Sequence, residues 1–141
     1  MSEHGPLDHL PTWMLTRAGV RSHRILQARI GEVGFTGYEA RVLAALAASG
    51  PLSQAEIGHA VSLDPRDVTH TVRALAERGL VARRRHPDDE RRMLVELTPT
   101  GRRGWQKVAR ALERVQDEFL EGLTPEEREV FVAMLERLSR D

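Results

Sequence analysis

Four helix-start signals punctuate this chain and commit it to a mainly helical fold of short elements: Ser53-Gln54-Ala55-Glu56, Asp64-Pro65, Thr98-Pro99 and Thr124-Pro125-Glu126-Glu127. The first has the capping-box spacing, in which the serine hydroxyl takes an orphan amide and the glutamate reaches back to the cap. In the other three, an oxygen-bearing cap precedes a proline at the first helical position, where a missing N–H costs nothing. A short helix is therefore expected from Ser53 to about Val61, and a second from Asp64-Pro65 to about Arg78. In the second, Val68, Val72 and Leu75 repeat at helical spacing as the buried face, and Gly79 supplies the left-handed residue that closes it. Arg66, Thr69, His70 and Arg73 are left on or near the exposed face.

Past Gly79 the period changes from helical to extended. Leu80 to Arg85 and Met93 to Leu97 read as two strands joined by a polar tip, His86 to Arg92, with Met93, Val95 and Leu97 alternating against Leu94 and Glu96. Thr98-Pro99 then starts a long helix to about Glu121, closed by Gly122, and Thr124-Pro125 starts the last one. Upstream, Pro11 to Glu32 carries the stripe Trp13, Met14, Ala18, Val20, Ile25, Leu26 and Ile30, and ends at Gly31 to Gly34. Gly37 to Ser49 carries Tyr38, Val42, Leu43, Leu46 and Ala47 and stops at Gly50-Pro51. The stripes of the two terminal helices, Val108, Leu112, Val115 and Phe119 with Val130, Phe131, Met134, Leu135 and Leu138, exceed what those helices can bury alone. A partner surface is implied.

At 141 residues, 40% hydrophobic and 30% charged, the chain falls in the range of one globular unit with a real core. Its apolar runs are far shorter than the ~20 residues that cross a bilayer, and it opens with no basic-then-apolar leader, so a cytoplasmic protein with no membrane partner is expected. It has no cysteine, which excludes disulfides, thiolate metal sites and thiol nucleophiles. Acidic and basic residues balance at 21 each, so the distribution carries the information. Arginines concentrate between Arg66 and Arg92, and acids after Gln116. No phosphate-binding glycine loop, nucleophile elbow or zinc-hydrolase motif occurs, and no catalysis and no cofactor are expected.

Two short helices joined by a tight turn, then a hairpin with a basic tip, is the order of a winged helix-turn-helix. The physical fit is to DNA: a helix enters the major groove, polar side chains on its outer face reach base edges, and an arginine on a thin hairpin enters the minor groove. A charge run taken singly is more often only a solvated face. The competing reading from another class is a winged-helix protein-interaction module, which has no need of a groove-reaching arginine.

Gly79-Leu80-Val81-Ala82-Arg83, followed by Asp89-Glu90-Arg91-Arg92-Met93-Leu94-Val95-Glu96-Leu97-Thr98 and Gly101, resembles the MarR family's G-L-V-x-R and D-x-R-x-x-x-V-x-L-T-x-x-G signature. The resemblance spans essentially the whole chain. It implies one MarR-type unit over 1–141, with the winged helix-turn-helix at about 37–98 and dimerisation helices at about 10–32 and 99–140. It also implies a two- to three-stranded wing and a homodimer on a pseudo-palindromic operator of double-stranded DNA, repressing as the family does by default. Arg91 matches the wing-tip arginine of the minor groove, and Asp89 the acid that steadies the wing, its carboxylate placed to orient a guanidinium. Arg92 is a further candidate for phosphate or groove contact. Ser53 and Gln54 are placed to meet phosphate through the amides and positive end of their helix; simple capping explains them equally. Thr69 matches a common family residue, but His70 stands where arginine is often found and Arg73 where an acid is frequent. Arg66 and Arg73 each suit either guanine or phosphate.

The resemblance further implies that a small aromatic or anionic effector enters the crevice between the dimerisation helices and the winged part, where Trp13, Met14, Arg17, His23 and Tyr38 are the candidates. Core or interface packing is the plainer reading of Trp13 and Met14. A metal-responsive regulator is the remaining alternative. His4 and His9 precede the first helix, and His23, His59, His70 and His86 fall on different elements without paired ligand spacing, so no metal site is expected.

Overall fold

The structure, a computed structural model, describes residues 5–140. In chain order its elements are α1 (Pro11–Glu32), α2 (Gly37–Ser49), α3 (Gln54–Val61), α4 (Pro65–Glu77), β1 (Val81–Arg85), β2 (Met93–Leu97), α5 (Pro99–Phe119) and α6 (Pro125–Leu138). Every helix after α1 opens on a side-chain oxygen that accepts an orphan amide, which is why the starts fall where the sequence puts them. Ser53 and Thr124 head complete capping boxes with Glu56 and Glu127, while Asp64 and Thr98 accept the N–H of Asp67 and of Gly101. α2 opens on a capping box, Thr36 with Glu39, that the sequence reading passes over.

The stops divide. Gly50 and Gly79, both at φ 74°, end α2 and follow α4 as expected. Gly122 does not close α5, which stops earlier at Phe119. Its last carbonyls are taken instead by a side chain from another helix: Arg21 of α1 donates to the oxygens of Phe119 at 3.0 Å and Glu118 at 3.3 Å, with its guanidinium 5.4 Å from the Phe119 ring centre. A cation at a helix C-terminus both satisfies carbonyls and complements the dipole. Arg21→Ala should therefore lower stability by about 1–2 kcal/mol, read as a shifted urea midpoint at fixed protein concentration.

β1 and β2 pair antiparallel, from Val81 opposite Leu97 to Arg85 opposite Met93, and Leu52 adds a single bridge to Val95 as a rudimentary third strand. The expected alternation along β2 holds only beside that bridge. Val95 is buried, but Met93 on the same face is exposed, and Leu94 on the other face is buried. A two-stranded ribbon twists strongly, so strand period stops marking the core face as the hairpin leaves it.

One core unites α2, α3, α4 and the hairpin base with α5: Leu43, Ile57, Leu75 and Val95 cluster with Val108 and Ala111. The terminal helices fit it unequally. In α1 only Ile25 and Ile30 are buried, while Trp13, Met14 and Val20 lie exposed. α6 buries no residue at all, and Val130, Met134 and Leu138 face outward. Mainly α with a small β wing, the architecture is a winged helix-turn-helix flanked by terminal helices.

Candidate nucleic-acid interface

The turn between α3 and α4 is tight because two residues allow it. Leu63 donates its N–H to the Gly58 oxygen at 3.0 Å, and a Cβ on Gly58 would stand 2.9 Å from the Leu63 oxygen. Ser62 takes the left-handed conformation at φ 55°. Val68, Val72 and Leu75 then pin the inner face of α4 into the core, which settles what faces out. Arg66, His70 and Arg73 are exposed, Thr69 is half-buried, and together with Pro65 these four line one shallow concavity.

The first turn of α3 abuts that surface. The Thr69 hydroxyl lies 2.9 Å from both Gln54 Oε1 and the Pro65 oxygen, so Gln54 stands beside the outer face of α4. Ser53 Oγ is occupied as a cap by the Glu56 N–H. Two carboxylates temper the arginines: the Asp67 N–H holds the Asp64 carboxyl below its usual range, and desolvation, reinforced by Asp64, raises that of Asp67.

In the wing, the His86 N–H donates to the Arg92 oxygen at 2.8 Å and the Arg92 N–H to the Asp89 oxygen at 3.0 Å. Asp89 steadies this loop, but through backbone: its Oδ1 accepts the N–H of Arg91 at 3.1 Å. The expected carboxylate–guanidinium contact is absent, because an aspartate reaching two residues on meets the amide first. The Arg91 guanidinium is exposed and, among the described residues, has no hydrogen-bond or ion-pair partner. Arg84 is held across the hairpin by Glu96 at 3.0 Å, and Arg92 by Glu56 of α3 at 2.6 Å. Glu56 is thus a wing contact as well as a cap; its 36-residue separation from Arg92 left no local signal in the sequence.

The five effector candidates are less concentrated. Met14 and Arg17 line a shallow groove along α1, where Arg17 pairs with Asp8 at 2.9 Å. Trp13 and His23 are exposed on α1, and Tyr38 is exposed on α2 with the Arg41 guanidinium 5.8 Å from its ring centre. Of the five, only Met14 and Arg17 line that groove. His4 lies outside the described residues. Among those described, no three His, Asp or Glu side chains converge as a metal-ligand set, and no helix is long and apolar enough to cross a membrane.

A model of the MarR family matches residues 35–93, which run from the start of α2 to the start of β2. The HTH-type transcriptional regulator YdgJ of Bacillus subtilis is 34% identical over 87 residues, 62% of this chain and 53% of its own length. The chain thus spans about half the length of that curated relative. Among solved structures, the transcriptional repressor CouR bound to a 23-mer DNA duplex superposes with a TM-score of 0.88 at 27% identity, over 99% of each chain. Bordetella bronchiseptica BpsR, whose DNA binding is regulated by 6-hydroxynicotinic acid, superposes with a TM-score of 0.85 at 28% identity, again over 99% of each chain. With the winged helix-turn-helix, the Asp89–Arg91 wing loop and these likenesses in hand, the chain belongs to the MarR family.

Proposed function

We propose that this chain is a sequence-specific, double-stranded-DNA-binding transcriptional regulator of the cytoplasm, a homodimeric repressor released by a small aromatic or anionic effector, and not an enzyme. The observation that carries the reading is the shared outer face of α3 and α4. Arg66, Thr69, His70 and Arg73 form one surface of a helix free to enter the major groove, with the Arg91 guanidinium, exposed and unpaired among the described residues, on the wing beside it. Ser53, Gln54 and Arg92 take phosphate positions in this account, and Asp89 keeps the wing in shape. CouR, seen on DNA, and BpsR, whose DNA binding is regulated by 6-hydroxynicotinic acid, support the operator and effector parts of the reading respectively.

The test is retention of a labelled fragment of the gene's own upstream DNA against scrambled competitor at fixed salt. Selective retention is expected; competition by scrambled duplex as effective as by the specific one would contradict sequence-specific binding.

The homodimer rests on apolar surface. The exposed half of α1 and all of α6 present Trp13, Met14, Val20, Val130, Met134 and Leu138 outward, more than single surface residues need. A second copy packed there would also wall the α1 groove of Met14 and Arg17 into an effector site. Because α6 buries nothing in its own chain whereas α5 supplies core, ending the chain at Leu120 should leave the winged part folded and abolish the dimer. Sedimentation checks this, and a truncated chain that still sediments as a dimer contradicts the assignment of α6.

A further inference from the structure

Glu56 is the acid that a DNA-facing surface would be expected to lack. It stands in the first turn of α3, beside Gln54, where phosphate is expected, and its Oε1 already accepts the Ser53 N–H at 3.1 Å as the capping-box partner. The same oxygen also takes Arg92 Nη2 at 2.6 Å. Both side chains are nearly half exposed, 47% for Glu56 and 45% for Arg92, so the pair lies on the open surface between α3 and the wing tip. The Glu56 carboxyl is held below its usual range, first by Ser53 and then by Arg92, so it is a full negative charge at neutral pH.

We propose that Glu56 and DNA phosphate compete for Arg92: in the free protein the Glu56–Arg92 pair latches the wing to α3, and on DNA the Arg92 guanidinium transfers from carboxylate to phosphate. The inference rests on the DNA-binding reading above. Its reasons are local. Arg92 is the residue next to the wing-tip Arg91, its backbone is fixed by Asp89 and His86, and only its side chain has freedom to swing. An exposed carboxylate–guanidinium pair is weak in water, whereas the phosphate array of a duplex is a dense line of charge that rewards each cation delivered to it. Exchange of partners is therefore favoured, with Glu56 subtracting from affinity. Glu56 becomes an affinity-setting residue at a position that the cap alone would explain.

Glu56→Gln separates the two roles, because glutamine keeps the capping-box acceptor for Ser53 and removes only the charge. The 141-residue chain and its Glu56→Gln and Arg92→Ala variants are titrated, over a salt series, with a labelled duplex selected from a random pool by the wild-type protein. Backbone amide exchange of the wing is followed without DNA. If the transfer occurs, Glu56→Gln binds about two- to five-fold more tightly, the reciprocal of a weak exposed pair, at an unchanged salt slope, since Arg92 reaches phosphate in both proteins. Arg92→Ala binds more weakly with its slope reduced by about 0.9. In the absence of DNA both variants exchange the amides of the His86 to Arg92 loop faster.

A Glu56→Gln slope steeper by about 0.9 overturns the transfer, because it shows that Arg92 stays on Glu56 in the wild-type complex. Unchanged or weakened binding by Glu56→Gln overturns the competition. Wing exchange that neither variant accelerates overturns the latch itself. Wild-type protein that selects no duplex sinks the regulator reading separately, since the exchange measurement needs no DNA.

Discussion

Replacing Gly101 with alanine should destabilise the protein by about 3 kcal/mol, the upper end of the cost of overpacking a filled site. α5 begins by crossing directly over the start of β1. A Cβ on Gly101 would overlap the Leu80 carbonyl oxygen and stand 3.2 Å from Leu97 Cδ2. The obstacle is backbone, and that carbonyl also accepts the Thr98 N–H at 3.1 Å. It cannot retreat without breaking the bond that anchors Thr98, the residue that caps α5. Against a total stability of roughly 5–15 kcal/mol, the loss should appear as a large drop in the urea midpoint of the circular dichroism transition. A variant melting with the wild type would show that α5 can lift off β1 freely. A Cβ on Gly104, one turn on, would stand 3.1 Å from the Phe35 ring, a softer neighbour, so the Gly104→Ala variant should suffer less.

Arg91→Ala is expected to weaken operator binding by about ten- to a hundred-fold, comparable to losing one good base or groove contact, with the salt slope reduced by about 0.9 if the guanidinium also neutralises phosphate. Stability should not change, because the Arg91 side chain is exposed and has no partner among the described residues, while its amide remains bonded to Asp89. That combination distinguishes a contact residue from a structural one. Fluorescence anisotropy over a salt series, with a parallel denaturation curve, measures both; unchanged affinity would remove Arg91 from the interface.

Much of this architecture is legible from local chemistry. Serine, threonine and aspartate caps with proline or glutamate behind them mark helix starts whatever the tertiary setting, and α3 to α6 begin on them. The outer face of α4 follows from the spacing of Val68, Val72 and Leu75 alone. What the sequence does not disclose is set by distant partners. α5 ends where Arg21 meets it, almost a hundred residues away in sequence, so Gly122 misleads. Met93 is exposed and Leu94 buried because the hairpin twists away from the core. Glu56 reads as a cap, and only the fold brings Arg92 against it. The Asp89 carboxylate is legible as a wing support, but its choice of the Arg91 amide over the guanidinium depends on loop geometry. The apolar residues of α1 and α6 are visible as stripes, yet the fold leaves Trp13, Met14, Val130 and Met134 exposed, and of the effector candidates only Met14 and Arg17 share the α1 groove.

Whether α4 and the wing of a two-fold dimer read a defined duplex is decided by selecting bound DNA from a random pool with the 141-residue chain at near-physiological salt. Two inverted half-sites whose centres lie about one helical turn, or a multiple of it, apart should be enriched, and that enrichment should be lost when Arg66, Thr69, His70 and Arg73 are replaced together by alanine. A pool that stays random, or an enriched sequence that the four-fold variant selects just as well, would contradict it.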